Sequence, residues 1–235
     1  MMPQSMHAQM WRRRKPTDGP EDEFLKSLLN CGLPTDKRLS RVVFREPAMP
    51  TGFPDLVIAY PGRGGLEFSP ERGLLTHDHV RLLHHLYMTK GETVRGISGS
   101  LLLSESVVET LAADLVVAGV VHRRGQHVVT RAFRQLFALR RIVAIEGKIG
   151  NWKHALSQAV ANTWFASHSY IVIPPTRSLS VVVAEAMRLG VGVWVFDGTS
   201  LEIAAESETH QIPTSYGSWL INEWSILRDG KRAAC

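Results

Sequence analysis

Glu146 and Lys148 stand two residues apart at the end of the apolar run Ile142–Ile145. Side chains in a strand alternate faces, so Ile142, Ala144, Glu146 and Lys148 share one face while Val143, Ile145 and Gly147 take the other. A carboxylate beside an amine at a strand end suits phosphodiester hydrolysis. The acid holds a divalent ion, and the amine positions or deprotonates water or offsets charge at the phosphate. One acid seldom suffices for magnesium. Asp55 offers a second, opening another apolar run in Gly52-Phe53-Pro54-Asp55-Leu56-Val57-Ile58. An acid and a lysine on one face also arise as an ordinary surface ion pair, so the elements around them carry the decision.

Those elements read as alternating strands and helices. Residues 1–19 show no apolar period and form a basic arm, with Trp11, Arg12, Arg13, Arg14 and Lys15 ahead of Pro16. Glu21, Asp22 and Glu23 then precede Phe24, Leu25, Leu28 and Leu29, an acidic first turn followed by a helical stripe that stops near Gly32 and Pro34. Arg41–Arg45 and Asp55–Tyr60 read as strands, the second left through Pro61, Gly62, Gly64 and Gly65. Further on come a strand at Ile142–Ile145, a helix from Asn151, a strand at Tyr170–Ile173, a helix from Leu179, and strands at Val191–Phe196 and Leu201–Ala204. Such alternation indicates an α/β sheet.

Between the two candidate strands the pattern changes. An amphipathic segment through Leu75, Val80, Leu82, Leu83 and Leu86 is followed by a short helical piece, Thr93–Leu103. Ser104 then caps a longer helix through Val107, Val108, Leu111 and Leu115, and Val120–Thr130 alternates around Arg124-Gly125 as a hairpin. This is the order of a winged helix-turn-helix. Its would-be recognition helix presents Glu105, Glu109 and Asp114, which repel phosphates. Arg123, Arg124, His127 and Arg131 of the wing are the better candidates to hold a DNA backbone. The adjacent His84 and His85 point to different faces of their helix and make a poor zinc site.

Pro54-Asp55 at a strand start, followed on the next strand by Glu146-Gly147-Lys148, resembles the PD-(D/E)XK nuclease superfamily. The resemblance implies an α/β, restriction-endonuclease-like αβββαβ core with a mixed sheet, interrupted here by the winged-helix insertion. It implies Asp55 and Glu146 as ligands of Mg or Mn and Lys148 as the catalytic lysine. Many members carry a further acid on the preceding helix, for which Glu23 is the candidate metal ligand and Glu21 the alternative. Gln158 resembles the catalytic helix glutamine of exonuclease-like members, with Asn162 standing where those carry tyrosine. The implied organisation is an arm at 1–19, core at 20–66, insertion at 67–137, core again at 138–206 and an extension at 207–235.

The 235 residues carry a formal charge of +5 and 44% hydrophobic residues, enough for a buried core and mildly favourable to a polyanionic partner. No apolar run reaches the length of a membrane span, and no secretory signal is read at the N-terminus, so no membrane partner and a cytoplasmic location are expected. Cys31 and Cys235 are isolated and support neither a disulfide framework nor a thiolate site. The expected function is a metal-dependent DNA nuclease of repair or defence type. The alternatives are a non-catalytic DNA-binding regulator on the same scaffold, or an interaction subunit. An interaction subunit, like a homodimer, would use the winged helix or the Trp219/Trp224 segment.

Overall fold

In the computed structural model, residues 13, 14, 18–33, 40–62, 69–212 and 214–233 are described, with side chains as far as residue 228. Of the basic run Trp11–Lys15 only Arg13 and Arg14 fall among them; Gly64, Gly65 and Cys235 also lie outside. The chain runs α1 (Pro20–Cys31), β1 (Val42–Arg45), β2 (Leu56–Pro61), a 3₁₀ turn (Pro70–Leu74), α2 (His77–Thr89), β3 (Glu92–Thr93), α3 (Val94–Leu101) and α4 (Glu105–Val117). It continues as β4 (Val121–Arg124), β5 (His127–Thr130), α5 (Phe133–Leu136), β6 (Leu139–Gly147), α6 (Trp152–Asn162), β7 (His168–Ile173), α7 (Leu179–Arg188), β8 (Gly192–Phe196), β9 (Leu201–Ala205) and α8 (Tyr216–Ala233). The architecture is α/β, with a mixed six-stranded sheet and a small antiparallel sheet of three strands. Among the described residues no helix is long and apolar enough to cross a membrane.

Two compact units divide the chain, one comprising Arg13–Tyr60 and Arg140–Thr214. Its sheet has the order β1-β2-β6-β7-β8-β9. β1 runs antiparallel to β2, β6 and β8 each run parallel to β7, and β9 closes the edge antiparallel to β8. Central strands buried on both faces read as near-continuous apolar runs, as Leu56–Tyr60 and Ile142–Ile145 do. On one face α1 sets Leu25 and Leu28 against Leu56, Ile58, Tyr60, Val143 and Ile145. On the other, Ala155, Leu156 and Ala159 of α6 and Val182 and Ala186 of α7 pack on Ile171, Ile173 and Val193. Each fully buried leucine contributes about 1.5 to 3 kcal/mol to holding its helix down.

The second unit takes in residues 61–139 and 215–235. Its order is 3₁₀ turn, α2, β3, α3, α4 and the β4–β5 hairpin, with β3 added to the hairpin as the sheet β3-β5-β4. Local caps fix the helix starts: Ser104 Oγ accepts from the Val107 N–H at 3.3 Å, and Thr93 Oγ1 from the Gly96 N–H at 3.2 Å. The C-terminal helix α8 belongs to this unit. Trp219 packs its ring centroid 5.3 Å from Tyr87 and 5.6 Å from Phe137. Trp219 and Trp224 are therefore buried, so the rings themselves are covered within the chain. Arg72 and Glu223, both buried, form an ion pair at 2.7 Å that ties α8 to the 3₁₀ turn.

Candidate active site

Strand alternation positions the two acids. Leu56 and Ile58 face α1, as do Val143 and Ile145. Asp55, one residue ahead of β2, and Glu146, near the end of the adjacent β6, therefore point to the opposite face. Their attachment is direct: Asp55 Oδ2 accepts from the Gly147 N–H at 2.8 Å. Gly147 itself faces α1, where an added Cβ would lie 2.6 Å from Leu25 Cδ2. The absence of a side chain there lets α1 seat Leu25 against the strand that carries the site.

Glu146 is 1% exposed. One of its oxygens, Oε1, accepts from Asn162 Nδ2 of α6 at 2.7 Å, while Oε2 is sealed from solvent with no hydrogen-bond partner. Burial, and after it the negative charge of Asp55, push the Glu146 carboxyl up to about 8. Burial also raises Asp55, opposed by the Gly147 N–H and by the charge of Lys148. Burial raises both acids, and the charge of Asp55 raises Glu146 further, an arrangement that a bound cation would relieve.

A pH dependence follows from this. The folded state favours protonated Glu146 over a range that runs from its ordinary value of 4.5 to about 8. The corresponding stability is fully present below the lower limit and is lost as pH rises through the upper one. In chelator, thermal melts should show stability falling across that window, and Glu146→Gln should flatten the fall. A wild-type slope that the variant leaves unchanged would show that Glu146 is not the group responsible.

Lys148 follows β6 and remains in the sheet register, its N–H donating to the Val172 carbonyl at 3.0 Å. Its ammonium reaches Glu21 Oε2 of α1 at 2.5 Å. Among the helix acids, Glu21 thus meets the lysine, Asp22 is buried and bound to Arg45 at 2.5 Å, and Glu23 is exposed. Glu23 has an open surface around it, while the alternative, Glu21, lies beside Lys148. Helical spacing could have separated them, since Glu21 lies one turn before Leu25 on the inward stripe.

α6 follows from Asn151, whose Oδ1 accepts from the His154 N–H at 3.1 Å. Gln158 is half-buried, with Oε1 enclosed and unpartnered. In the sequence Asn162 forms one polar stripe with Asn151, His154 and Gln158, which reads as an outward face of α6. It lies three and seven residues beyond Ala159 and Ala155, on the apolar face, and is 3% exposed. Glu46 is another buried acid that the sequence reading passed over. Its N–H donates to the Asp55 carbonyl at 3.0 Å, and its Oε2 accepts from Arg14 Nε at 2.6 Å.

Among the described residues no group of three or more His, Cys, Asp or Glu side chains is gathered as a metal cluster. The pair Asp55 and Glu146 nevertheless fits a hard divalent ion. Both are oxygen donors, Glu146 Oε2 lacks a partner, and magnesium is commonly held by one or two carboxylates, with water and substrate completing its shell. His79 and His85 pair with Asp114 at 3.1 Å and Glu92 at 2.7 Å.

The proposed wing residues lie on or next to β4 and β5. Arg124, His127 and Arg131 are exposed, and Arg123 is exposed but ion-paired to Glu109 of α4. Comparison with protein-family models, curated proteins and solved structures gave no significant match.

Proposed function

We propose that the chain is a metal-dependent deoxyribonuclease of PD-(D/E)XK type, in which residues 67–137 form a winged-helix module that helps hold DNA. The observation that carries this reading is the sealed, half-satisfied carboxylate of Glu146 beside Asp55, at the strand end from which Lys148 projects. Asp55 and Glu146 would hold Mg or Mn, which when bound supplies positive charge to the phosphate and acidifies a water. Asn162 fixes one oxygen of Glu146 and leaves the other for the ion. Lys148, steered by Glu21, brings an ammonium to the phosphate as charge builds on it. Hydrolysis joins the water oxygen to phosphorus, breaks the phosphorus–ester bond and delivers the proton to the leaving oxygen. Gln158 lies on the helix beside the pair, suited to orient water or substrate.

The test is cleavage of labelled DNA by purified protein with magnesium or manganese, and with chelator. Metal-dependent nicking or degradation is expected. Inactivity across both metals and several DNA forms would favour the non-catalytic DNA-binding scaffold.

For the module, the arrangement favours backbone contact over base reading, because α4 exposes Glu105, Glu109 and Asp114. Arg124→Ala with Arg131→Ala should weaken DNA binding uniformly across sequences and lower its salt slope by about one per charge removed. Anisotropy titrations at several salt concentrations measure both. Unchanged affinity and slope would leave the wing without a DNA role and favour a protein contact.

A further inference from the structure

The end of the sheet that carries Asp55 and Glu146 also carries two aromatic rings, each with a cation over it. Phe53, two residues ahead of Asp55, is 41% exposed, and the Arg14 guanidinium carbon stands 5.4 Å from its ring centroid. Arg14 is held in place from behind by the buried Glu46 at 2.6 Å. Trp152 opens α6, four residues beyond Lys148, and is half-buried with Lys153 Nζ 5.7 Å from its ring.

A single exposed aromatic needs no explanation. Two rings with adjoining cations, next in the chain to the strand ends that carry a candidate phosphodiester site, are a different matter. Bases stack on aromatic faces irrespective of sequence, and a neighbouring cation meets the phosphate that follows. Within a duplex the base faces are already stacked on one another and cannot reach a protein ring. A single strand offers them freely.

We propose that this site takes a single-stranded polynucleotide, seating bases on Phe53 and Trp152 and phosphates on Arg14 and Lys153. The inference draws on the nuclease reading only for where the scissile phosphate lies; the binding it describes needs neither metal nor turnover. Glu46 serves it as a positioning residue, since its ion pair aims Arg14 at the Phe53 ring.

Fluorescence anisotropy on the full chain in chelator tests it, with labelled oligothymidylate, oligouridylate and a blunt duplex of equal length. Single strands should bind at least about 10-fold more tightly than the duplex. Phe53→Leu and Trp152→Leu should each weaken single-strand binding by about 5- to 100-fold, the loss of one stacked base, and change duplex binding little. Leucine keeps apolar volume where Trp152 packs on the core, and Phe53→Tyr and Trp152→Phe, which keep a ring, should bind as wild type. The tighter of the two single strands names the source as DNA or RNA. Equal affinity for duplex and single strand, or leucine variants that bind like the wild type, would overturn the proposal. If the nuclease reading alone is wrong, metal restores no cleavage while the single-strand preference and its loss in the leucine variants persist.

Discussion

Asp55→Ala and Glu146→Ala should each abolish metal-dependent DNA cleavage, and Lys148→Ala should slow it by a factor on the order of 100 or more. The two acid variants each remove a carboxylate that the fold holds in place, Asp55 through the Gly147 N–H of β6 and Glu146 through Asn162 of α6. Neither neighbour can replace the lost oxygen: Glu21 is engaged by Lys148 and Asp22 by Arg45. Lys148→Ala leaves the carboxylates in place and removes only a charge at the phosphate, so a residual rate and nearly full DNA binding should survive. Single-turnover cleavage assays beside anisotropy titrations separate these effects. Undiminished cleavage in all three variants would place the chemistry elsewhere.

Glu223→Ala should destabilise the unit that contains α8 by about 3 to 5 kcal/mol. It removes the carboxylate that pairs with Arg72, whose side chain is 4% exposed and whose Nη2 also donates to the Leu136 carbonyl. It also removes an acceptor used by Asn222 Nδ2 at 2.9 Å, while Asn222 Oδ1 accepts from the Ala138 N–H at 2.8 Å. The network thus joins α8, the 3₁₀ turn and the segment before β6. Because the cost comes from splitting a buried ion pair, Arg72→Met with Glu223→Leu should lose much less than the two single changes summed. Urea unfolding of the four proteins measures this. Additive losses would mean that the two residues do not act as a pair.

The strands and helices were largely legible because their signals are local. Leu56–Tyr60 and Ile142–Ile145 are short apolar runs bounded by turn residues, and Ser104 and Asn151 sit where the first turns of α4 and α6 need an acceptor. Asp55, Glu146 and Lys148 stood out by type and spacing at strand ends. Relations between distant elements were not legible. Helical spacing sets Glu23 off the inward stripe, but whether Glu21 or Asp22 meets Lys148 depends on the phase of α1 against the sheet, which is set by Leu25 lying on Gly147. Asn162 looked outward until α6 was seated with Ala155 and Ala159 against the sheet. Glu46 gave no signal, since its burial depends on Arg14, an otherwise unremarkable member of a basic run. The C-terminal segment illustrates the same limit, since the rings that cover Trp219, those of Tyr87 and Phe137, lie far from it in the chain.

The most direct test of the central claim is anomalous diffraction from crystals of the protein soaked in manganese. One strong peak is expected about 2.1 Å from a carboxylate oxygen of Asp55 and from the unpartnered Oε2 of Glu146, lost in Glu146→Gln. A manganese-soaked crystal with no peak there, or with both carboxylates turned away from the bound ion, would contradict that claim.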